Sequence, residues 1–447
     1  MNNTLLPTPE LLAQFVNSGD RVVHIIAIAT KPDIIKQAPV YQELKSRGAN
    51  VMICHTGQHY DDNYSGAMLE EFGIEIHAHL AISGALATKT AQIIERFSQV
   101  LDVVREAGLT PVPYIHGDTL TSMAVGVSSY LNRVACVHVE AGIRTMTPTG
   151  DFYRSVLADH AAGSFSWDEY LAAMRDESTY ELGSREPFPE QFNTRVSEAA
   201  TGFHAAPVEL VRGFLLSENF PPETIEVVGN SVVDATRAAV ADAERATVFE
   251  TYPQLASGNF IRFCVHRREN TESAQRFAVL FEALELLVRR GESVLLISLF
   301  GTEAAIDEHG FRDRLNALVD EFPETFIYSQ VWPNYRDVVA AMLKCAVVAT
   351  DSGSMQEEMN ILGVPCVTLR FGTDRGESLL AGGNVLAPPT NAEFVADIVQ
   401  YATREESLRN VGNIYGENAS QMLVDEVMKR LDQEWGVFVT EEQRLGL

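Results

Sequence analysis

Three carboxylates lie directly after predicted strands or at a predicted helix start in this 447-residue sequence. Asp118 lies in HGDT, Glu140 in HVEAG and Glu190 in PEQFN. Carboxylates that converge on one substrate can remove and deliver protons. A single residue of this kind is about as often a helix cap or a loop ion-pair partner as a catalytic group, so the argument rests on all three carboxylates together.

A second group of polar residues could bind an anion. His266 and Arg267 follow an apolar strand in VHRREN, and a Ser-Gly-Ser turn at 352–354 begins a predicted helix. Amides at a helix N-terminus, together with nearby cations, bind phosphate groups. We therefore interpret both segments as parts of a phosphate site. A solvated basic face, and a helix cap at Asp351, are the alternative interpretations.

Several common catalytic motifs do not occur in the sequence. It contains no HExxH, no Cys/His set with zinc spacing, no GxxxxGK[ST] loop and no GxSxG elbow. This argues against P-loop NTPases and α/β-hydrolases. We expect neither a metal nor another cofactor. His138, which lies inside an apolar strand, is predicted to be a core histidine rather than a catalytic one.

Short β-branched strands alternate with amphipathic helices along most of the chain, from RVVHIIAIAT at 21–30 onwards. This rhythm predicts an α/β fold of doubly wound parallel sheets. We expect two Rossmann-like domains, at 1–212 and 213–407, that face a central cleft, where ligands of such folds bind. The polar stretch at about 147–188 interrupts the first domain, and we interpret it as an inserted lid or oligomer contact.

Composition limits the classes of partner. Lys and Arg number 34 against 61 Asp and Glu, which gives a net charge of −27. Such a chain is a poor candidate for binding nucleic acid or an anionic membrane. The sequence shows neither a signal peptide nor an apolar run of the roughly 20 residues that a membrane span needs. Five cysteines within apolar runs predict reduced, buried thiols, and we expect a cytoplasmic protein.

Taken in order, the motifs resemble the UDP-N-acetylglucosamine 2-epimerase family, especially its non-hydrolysing bacterial type. TKPDIIKQAP is similar to that family's TRPEAIKMAP, and HTGQHYD, HGDT, HVEAGIRT, PEQFN, VHRREN, GNSVVDA and DSGSMQEE follow in the family's order. The resemblance runs from about residue 21 to 430. It implies a GT-B-like homodimer whose second domain binds the nucleotide, with a C-terminal helix at about 408–435 that packs back on the first domain.

The resemblance also implies an activity and a set of site residues. The family inverts C2 of UDP-N-acetylglucosamine by eliminating UDP to give a glycal and then adding UDP back. The catalytic positions correspond to Asp118, Glu140, Glu190 and His266. The implied contacts to the UDP-sugar are Lys31, Lys36, Gln58, His59, Arg144, Asn193, Arg267, Ser352, Gly353, Ser354, Glu358 and Arg375.

Some positions depart from the family pattern. Lys31 replaces an arginine, Thr194 replaces the arginine after the PEExN asparagine, and Ser354 occupies a position where the family has glycine. SLFGTEAA replaces a histidine-bearing segment linked to allosteric activation, and Asp61 replaces its partner glutamine. These changes favour the same reaction class with altered regulation, and they leave the identity of the sugar open.

Three other functions stay open at the level of the sequence. A hydrolysing 2-epimerase would release N-acetylmannosamine and UDP from the same chemistry. A GT-B glycosyltransferase would use the same nucleotide domain with an acceptor site, although the three carboxylates argue against it. A catalytically silent UDP-sugar-binding protein would keep the fold without turnover.

Overall fold

The structure is a computed structural model that describes residues 4–57 and 65–431. The chain forms two compact units. The first comprises Met1–Ile143, Pro189–Ala235 and Tyr415–Leu447, and the second comprises Arg144–Phe188 and Thr236–Ile414. No helix in the described ranges is long and apolar enough to cross a membrane.

The first unit is built on a seven-stranded parallel sheet. In spatial order its strands are Ala78–His79, Asn50–His55, Val22–Ile28, Thr110–His116, Val137–Val139, Phe203–Ala206 and Ile225–Val227. Its helices are Pro9–Asn17, Lys31–Ser46, Ser65–Glu71, Leu86–Glu106, Leu120–Leu131, Glu190–Ala199, Glu209–Ser217, the first residues of Val232–Ala241, and Ala419–Leu431. Successive residues of the central strands are buried, so both sheet faces are covered, which explains their continuous apolar runs.

The second unit contains a six-stranded parallel sheet. In spatial order its strands are Phe326–Gln330, Val294–Ser298, Phe260–Cys264, Cys345–Thr350, Cys366–Thr368 and Asn384–Leu386. Its main helices are Gly150–Ala162, Trp167–Met174, Val248–Thr251, Arg268–Thr271, Ala274–Arg289, Phe300–Glu308, Arg312–Glu321, Tyr335–Met342, Gly353–Leu362, Gly376–Leu380 and Ala392–Arg404. The two parallel sheets confirm the predicted α/β class.

The domain limits differ from those that the sequence suggested. The strand Ile225–Val227 still belongs to the first sheet, and the boundary falls inside the helix Val232–Ala241 rather than at residue 212. The stretch 147–188 belongs to the second unit instead of the first. Its Tyr170 packs in that unit's core and donates a 2.7 Å hydrogen bond to the carbonyl of Leu386. Helical periodicity does not reveal which core an amphipathic segment covers.

The C-terminal helix Ala419–Leu431 belongs to the first unit and packs against the helix Lys31–Ser46. Leu423, Val424 and Val427 are its buried apolar face. All five cysteines are free and buried, as their apolar surroundings in the sequence indicate.

Candidate active site

Polar side chains meet at the carboxyl ends of the parallel strands in the first unit. Glu140 follows the strand Val137–Val139, and His116 ends the neighbouring strand Thr110–His116. Lys36 projects from the helix Lys31–Ser46, which follows the central strand Val22–Ile28. This edge of an open α/β sheet is where ligands bind in such folds.

Glu140 is the centre of this group and is only 3% exposed. Its Oε2 atom pairs with Lys36 Nζ, lies 3.2 Å from His116 Nε2 and accepts a 2.9 Å hydrogen bond from Asn230 Nδ2. The backbone of Glu140 has φ +62°, a left-handed conformation that is rare for a residue with a long side chain. Backbone strain of this kind is concentrated at functional sites, where it aims a side chain.

His116 lies between two carboxylates. Its Nδ1 atom is 3.2 Å from Asp33 Oδ1, and the other oxygen of Asp33 accepts the amides of Ala29 and Thr30 at 3.1 and 3.0 Å. Burial opposes protonation of the ring, but the charge of Glu140 and the hydrogen bonds that the ring donates to Asp33 and Glu140 raise the pKa of His116 to about 9. The ring is therefore an imidazolium at neutral pH, with each N–H directed at a carboxylate.

Asn193 connects the helix that carries Glu190 to the backbone of Asp118. The Asn193 side chain is 2% exposed and donates a 3.0 Å hydrogen bond to the backbone carbonyl of Asp118. Asn193 lies one turn after Glu190, which is the first residue of the helix Glu190–Ala199. Asp118 and Glu190 are both partly exposed, whereas Glu140 is buried. Two of the three residues are thus partly exposed, although one carboxylate oxygen of each is buried, and the third is enclosed.

His138 supports this site and is not part of it. Its Nε2 atom donates a 2.7 Å hydrogen bond to the carbonyl of Gly117, and burial lowers the pKa of the ring to about 4. The neutral ring holds the turn at Gly117, where φ is +58°. The prediction of a core histidine is therefore correct.

In the second unit, Asp351 organises the segment that contains His266. It is fully buried, and its carboxylate accepts the backbone amides of His266 and Arg267 and the side-chain amide of Asn270 at 2.9–3.1 Å. His266 Nδ1 lies 3.0 Å from Asp351 Oδ1. Burial again opposes protonation, but Asp351 raises the pKa of His266 to about 10, so this ring is cationic. Asp351 orients the segment instead of capping a helix.

The Ser-Gly-Ser turn begins the helix Gly353–Leu362, as the sequence indicates. Ser352 is the residue before the first helical turn, and its hydroxyl makes no capping bond to that turn. Ser354 lies inside the helix and its hydroxyl donates to Glu358 Oε1 at 3.1 Å. Ser354, which stands where the family has glycine, therefore occupies a helical position that does not need a left-handed backbone.

Arg375 lies beside this helix start. Its guanidinium carbon is 3.4 Å from the point that a Cβ atom on Gly353 would occupy, and its Nε atom donates to Glu357. Asp374 pairs with both Arg375 and Arg370, and although burial works against it, the two arginines lower the pKa of Asp374. The arrangement fixes a cation next to amides that can bind phosphate.

The predicted site residues fall into two sets. The first unit contains Lys31, Lys36, Asp118, Glu140, Glu190 and Asn193, and it brings Lys36 against Glu140 and Asn193 against the backbone of Asp118. The second contains Arg144, His266, Arg267, Ser352, Gly353, Ser354, Glu358 and Arg375. Gln58, His59 and Asp61 lie outside the described residues. Among the residues that are described, no group of three or more His, Cys, Asp or Glu side chains could hold a metal ion.

Three further residues of the first unit belong to the group around Glu140 but were not predicted from the sequence as site residues. His116 and Asn230 contact Glu140 directly, and Asp33 contacts it through the ring of His116. His116 stands in the HGDT motif and Asn230 in GNSVVDA, so both were within recognised motifs without an assigned role. Asp33 has the sequence signature of a capping box at a helix start, so nothing in the sequence indicated its contact with His116 as well.

Comparison with known proteins gives consistent results. A sequence profile described as UDP-N-acetylglucosamine 2-epimerase matches residues 42–164 and 181–429. The chain is 27% identical to the UDP-N-acetylglucosamine 2-epimerase of Salmonella typhimurium over 91% of this chain and 98% of the relative. It is 26% identical to that of Neisseria meningitidis, over 91% of this chain and 99% of the relative.

Solved structures are similar in fold. The Methanocaldococcus jannaschii UDP-GlcNAc 2-epimerase in complex with UDP-GlcNAc and UDP gives a TM-score of 0.73 at 24% identity, with 91% of this chain and 99% of that chain covered. The Neisseria meningitidis enzyme bound to UDP-GlcNAc gives 0.72 at 25% identity, with 91% and 100% covered.

Proposed function

The chain belongs to the UDP-N-acetylglucosamine 2-epimerase family, and from that premise we propose that it inverts C2 of UDP-N-acetylglucosamine, or of a closely related UDP-2-acetamido sugar, to give the manno epimer. We further propose the non-hydrolysing outcome, in which the product stays linked to UDP. No cofactor is needed for this reaction, because the leaving diphosphate itself carries the electron pair.

The reaction has two balanced halves. In the first, a base removes the proton from C2, the bond between C1 and the diphosphate oxygen breaks, its electron pair leaves with UDP, and a C1–C2 double bond forms. In the second, an acid delivers a proton to the opposite face of C2 and a diphosphate oxygen bonds to C1. Both halves require proton-transfer groups near C2 and stabilisation of the diphosphate.

The observation that carries the proposal is the buried chain Lys36–Glu140–His116–Asp33. It contains two carboxylates and two cations, and a proton can move between His116 Nε2 and Glu140 without leaving the protein. Asp118 and Glu190, which are partly exposed, supply the further carboxylates that a two-face proton exchange requires. We assign the acid/base steps to these residues of the first unit.

Residues of the second unit are assigned to UDP. The cationic His266, the helix start at Gly353 and the fixed guanidinium of Arg375 suit a diphosphate, and Glu358 suits the ribose hydroxyls. A helix N-terminus and cations stabilise the negative charge that develops on the departing UDP. The predicted homodimer and cytoplasmic location stay predictions, and light scattering in solution tests the former.

The decisive experiment incubates the protein with UDP-N-acetylglucosamine in D2O and follows products by proton and phosphorus NMR. We expect a UDP-linked manno epimer that carries deuterium at C2, and formation of this product about 10²–10⁴ times more slowly with Asp118→Asn. Free N-acetylmannosamine with UDP would indicate the hydrolysing type. An unchanged substrate that nevertheless binds would indicate a silent binding protein, and turnover only after addition of an acceptor would indicate a glycosyltransferase.

A further inference from the structure

We propose that the segment 146–153, at the start of the 144–188 stretch, is a positioning element that holds the loop 370–377 in the conformation presenting Arg375 to the helix start at Gly353. The role of that loop in binding UDP rests on the proposed function. The contacts themselves do not, because all of them lie within the second unit.

The first contact is a pair of backbone hydrogen bonds. The amide of Met146 donates to the carbonyl of Thr373 at 2.8 Å, and the amide of Thr373 donates to the carbonyl of Met146 at 2.9 Å. This is one isolated antiparallel bridge. A reciprocal pair of this kind fixes both the separation and the orientation of the two chains.

Two glycines of the loop permit this close approach. A Cβ atom at Gly372 would collide with Thr147, and one at Gly376 would collide with the thioether of Met146. The two glycines of FGTDRG therefore leave the space that Met146 and Thr147 occupy. Glycine at a site of close packing is required by space and not by backbone freedom.

Side chains on either side of the bridge hold Phe371. The Tyr153 hydroxyl donates a 2.5 Å hydrogen bond to the Phe371 carbonyl, and Tyr153 is 8% exposed. Arg276 stacks on the Phe371 ring, with its guanidinium carbon 4.8 Å from the ring centre. Glu186, near the other end of the 144–188 stretch, makes a two-pronged ion pair with Arg276 at 2.9 and 3.1 Å.

The loop transmits this restraint to the helix start. The Thr373 hydroxyl donates to Gln356 Oε1 at 2.6 Å and accepts the Arg375 amide at 3.0 Å. A shift of Thr373 would therefore displace Arg375 and disturb the first turn of Gly353–Leu362. Small displacements of groups that orient a ligand have large effects on binding and turnover.

The segment is itself anchored, so it can act as a fixed support. Tyr170, Leu171 and Met174 from the same stretch belong to the core of the second unit. Trp167 Nε1 donates to Glu405 at 2.9 Å, and His160 lies 2.8 Å from Asp397. The stretch is thus packed on its own unit along its length, in contrast to a lid that opens and closes.

The test compares Tyr153→Phe with a matched control, Tyr180→Phe. Tyr180 lies in the same stretch, in a short strand that pairs with Thr147–Pro148, but its hydroxyl donates to the Met174 carbonyl at 2.6 Å and not to the loop. Loss of one hydrogen bond corresponds to roughly a threefold to tenfold change in an equilibrium. We expect Tyr153→Phe to weaken UDP binding by that factor in calorimetry, while Tyr180→Phe binds UDP like the wild type even if both variants lose the same amount in Tm.

A second measurement needs no ligand. Hydrogen exchange of the amides in 371–376 should be faster in Tyr153→Phe than in the wild type and in Tyr180→Phe. Equal exchange in all three proteins, or equal UDP affinity in both variants, would overturn the proposal. A wild type that binds UDP without epimerising it would refute only the proposed function, and one that binds no UDP leaves the exchange experiment to decide.

Discussion

Lys36 and Glu140 form an ion pair that is almost completely withdrawn from solvent, with side chains 1% and 2% exposed. The cation comes from a helix that also carries Asp33, and the carboxylate comes from a turn with a left-handed backbone. Removing one partner from a buried pair leaves the other charge uncompensated. The pair therefore links the stability of the first unit to the geometry of its site.

Lys36→Met tests this link. We expect a loss of about 3–5 kcal/mol in stability and a strong fall in turnover, because Glu140 loses its permanent cation. Lys45→Met on the same helix is the control, since Lys45 Nζ donates a long 3.5 Å hydrogen bond to the neutral hydroxyl of Tyr41. Thermal unfolding and turnover should both be near normal in the control. An unperturbed Lys36→Met would show that the pair does not matter.

The three carboxylates are expected to act in proton transfer. Asp118→Asn, Glu140→Gln and Glu190→Gln should each retain UDP binding but lose about 10²–10⁴ in turnover, the usual contribution of a positioned acid or base. Calorimetry with UDP and NMR assays of epimerisation measure the two properties separately. Near-normal turnover in all three variants would refute the assignment.

His116 should make stability depend on pH. Its pKa is about 9 in the folded protein, above roughly 6.5 in an unfolded chain. Its contribution is therefore fully present below about pH 6.5 and is lost as the pH rises through 9, with a total on the order of 3 kcal/mol. The groups that face it are Asp33, Glu140 and Lys36, with neutral His138 further away.

The measurement is the difference in Tm between wild type and His116→Gln at several pH values. We expect this difference to shrink between pH 6.5 and 9.5. Asp351 also raises the pKa of His266, so this ring titrates in the same pH range. Because His266 is present in both proteins, its contribution cancels in the Tm difference. A difference that stays constant with pH would show that the ring is not protonated in the folded state.

His266 and Glu358 are expected to contact the nucleotide. Loss of a hydrogen bond to a charged group costs about 1.5–3 kcal/mol, so His266→Ala and Glu358→Ala should each weaken UDP binding roughly tenfold to a hundredfold. Glu272→Ala is the matched control, because Glu272 follows the same short segment and its side chain is 70% exposed. Unchanged calorimetric affinity in both test variants would place UDP elsewhere.

Substrate activation is not expected. In the SLFGTEAA segment, Glu303 bonds Ser298 at 2.5 Å and Arg312 at 2.7 Å, and it also pairs with Tyr328. This cation and the two hydroxyls are thus already bonded to the carboxylate of Glu303, and the neighbouring Phe300 is 90% exposed. An effector must bind one state better than another, and Arg312, the cation beside this segment, is already paired with Glu303 and Asp307. Rate should rise hyperbolically with UDP-sugar concentration, and a Hill coefficient clearly above one would contradict this.

The sequence by itself determined the fold class and predicted the edge of the sheet at which the candidate site lies. Buried parallel strands need continuous apolar runs, and the carboxyl ends of all strands in such a sheet lie at one edge. Local patterns were therefore enough to propose Asp118, Glu140 and His266 as candidate site residues. The order of the motifs was enough to indicate the family. Each of these inferences depends on spacing within a few residues.

Only the tertiary structure decided which elements pack together. It enclosed Lys36 against Glu140, gave Asp33 a second contact through His116, and placed the 144–188 stretch on the second unit. These contacts join residues 24 to more than 200 positions apart, such as His116 with Glu140 and Tyr153 with Phe371. Amphipathic periodicity says that a face is buried but not against what, so these relationships depend on how the whole chain packs.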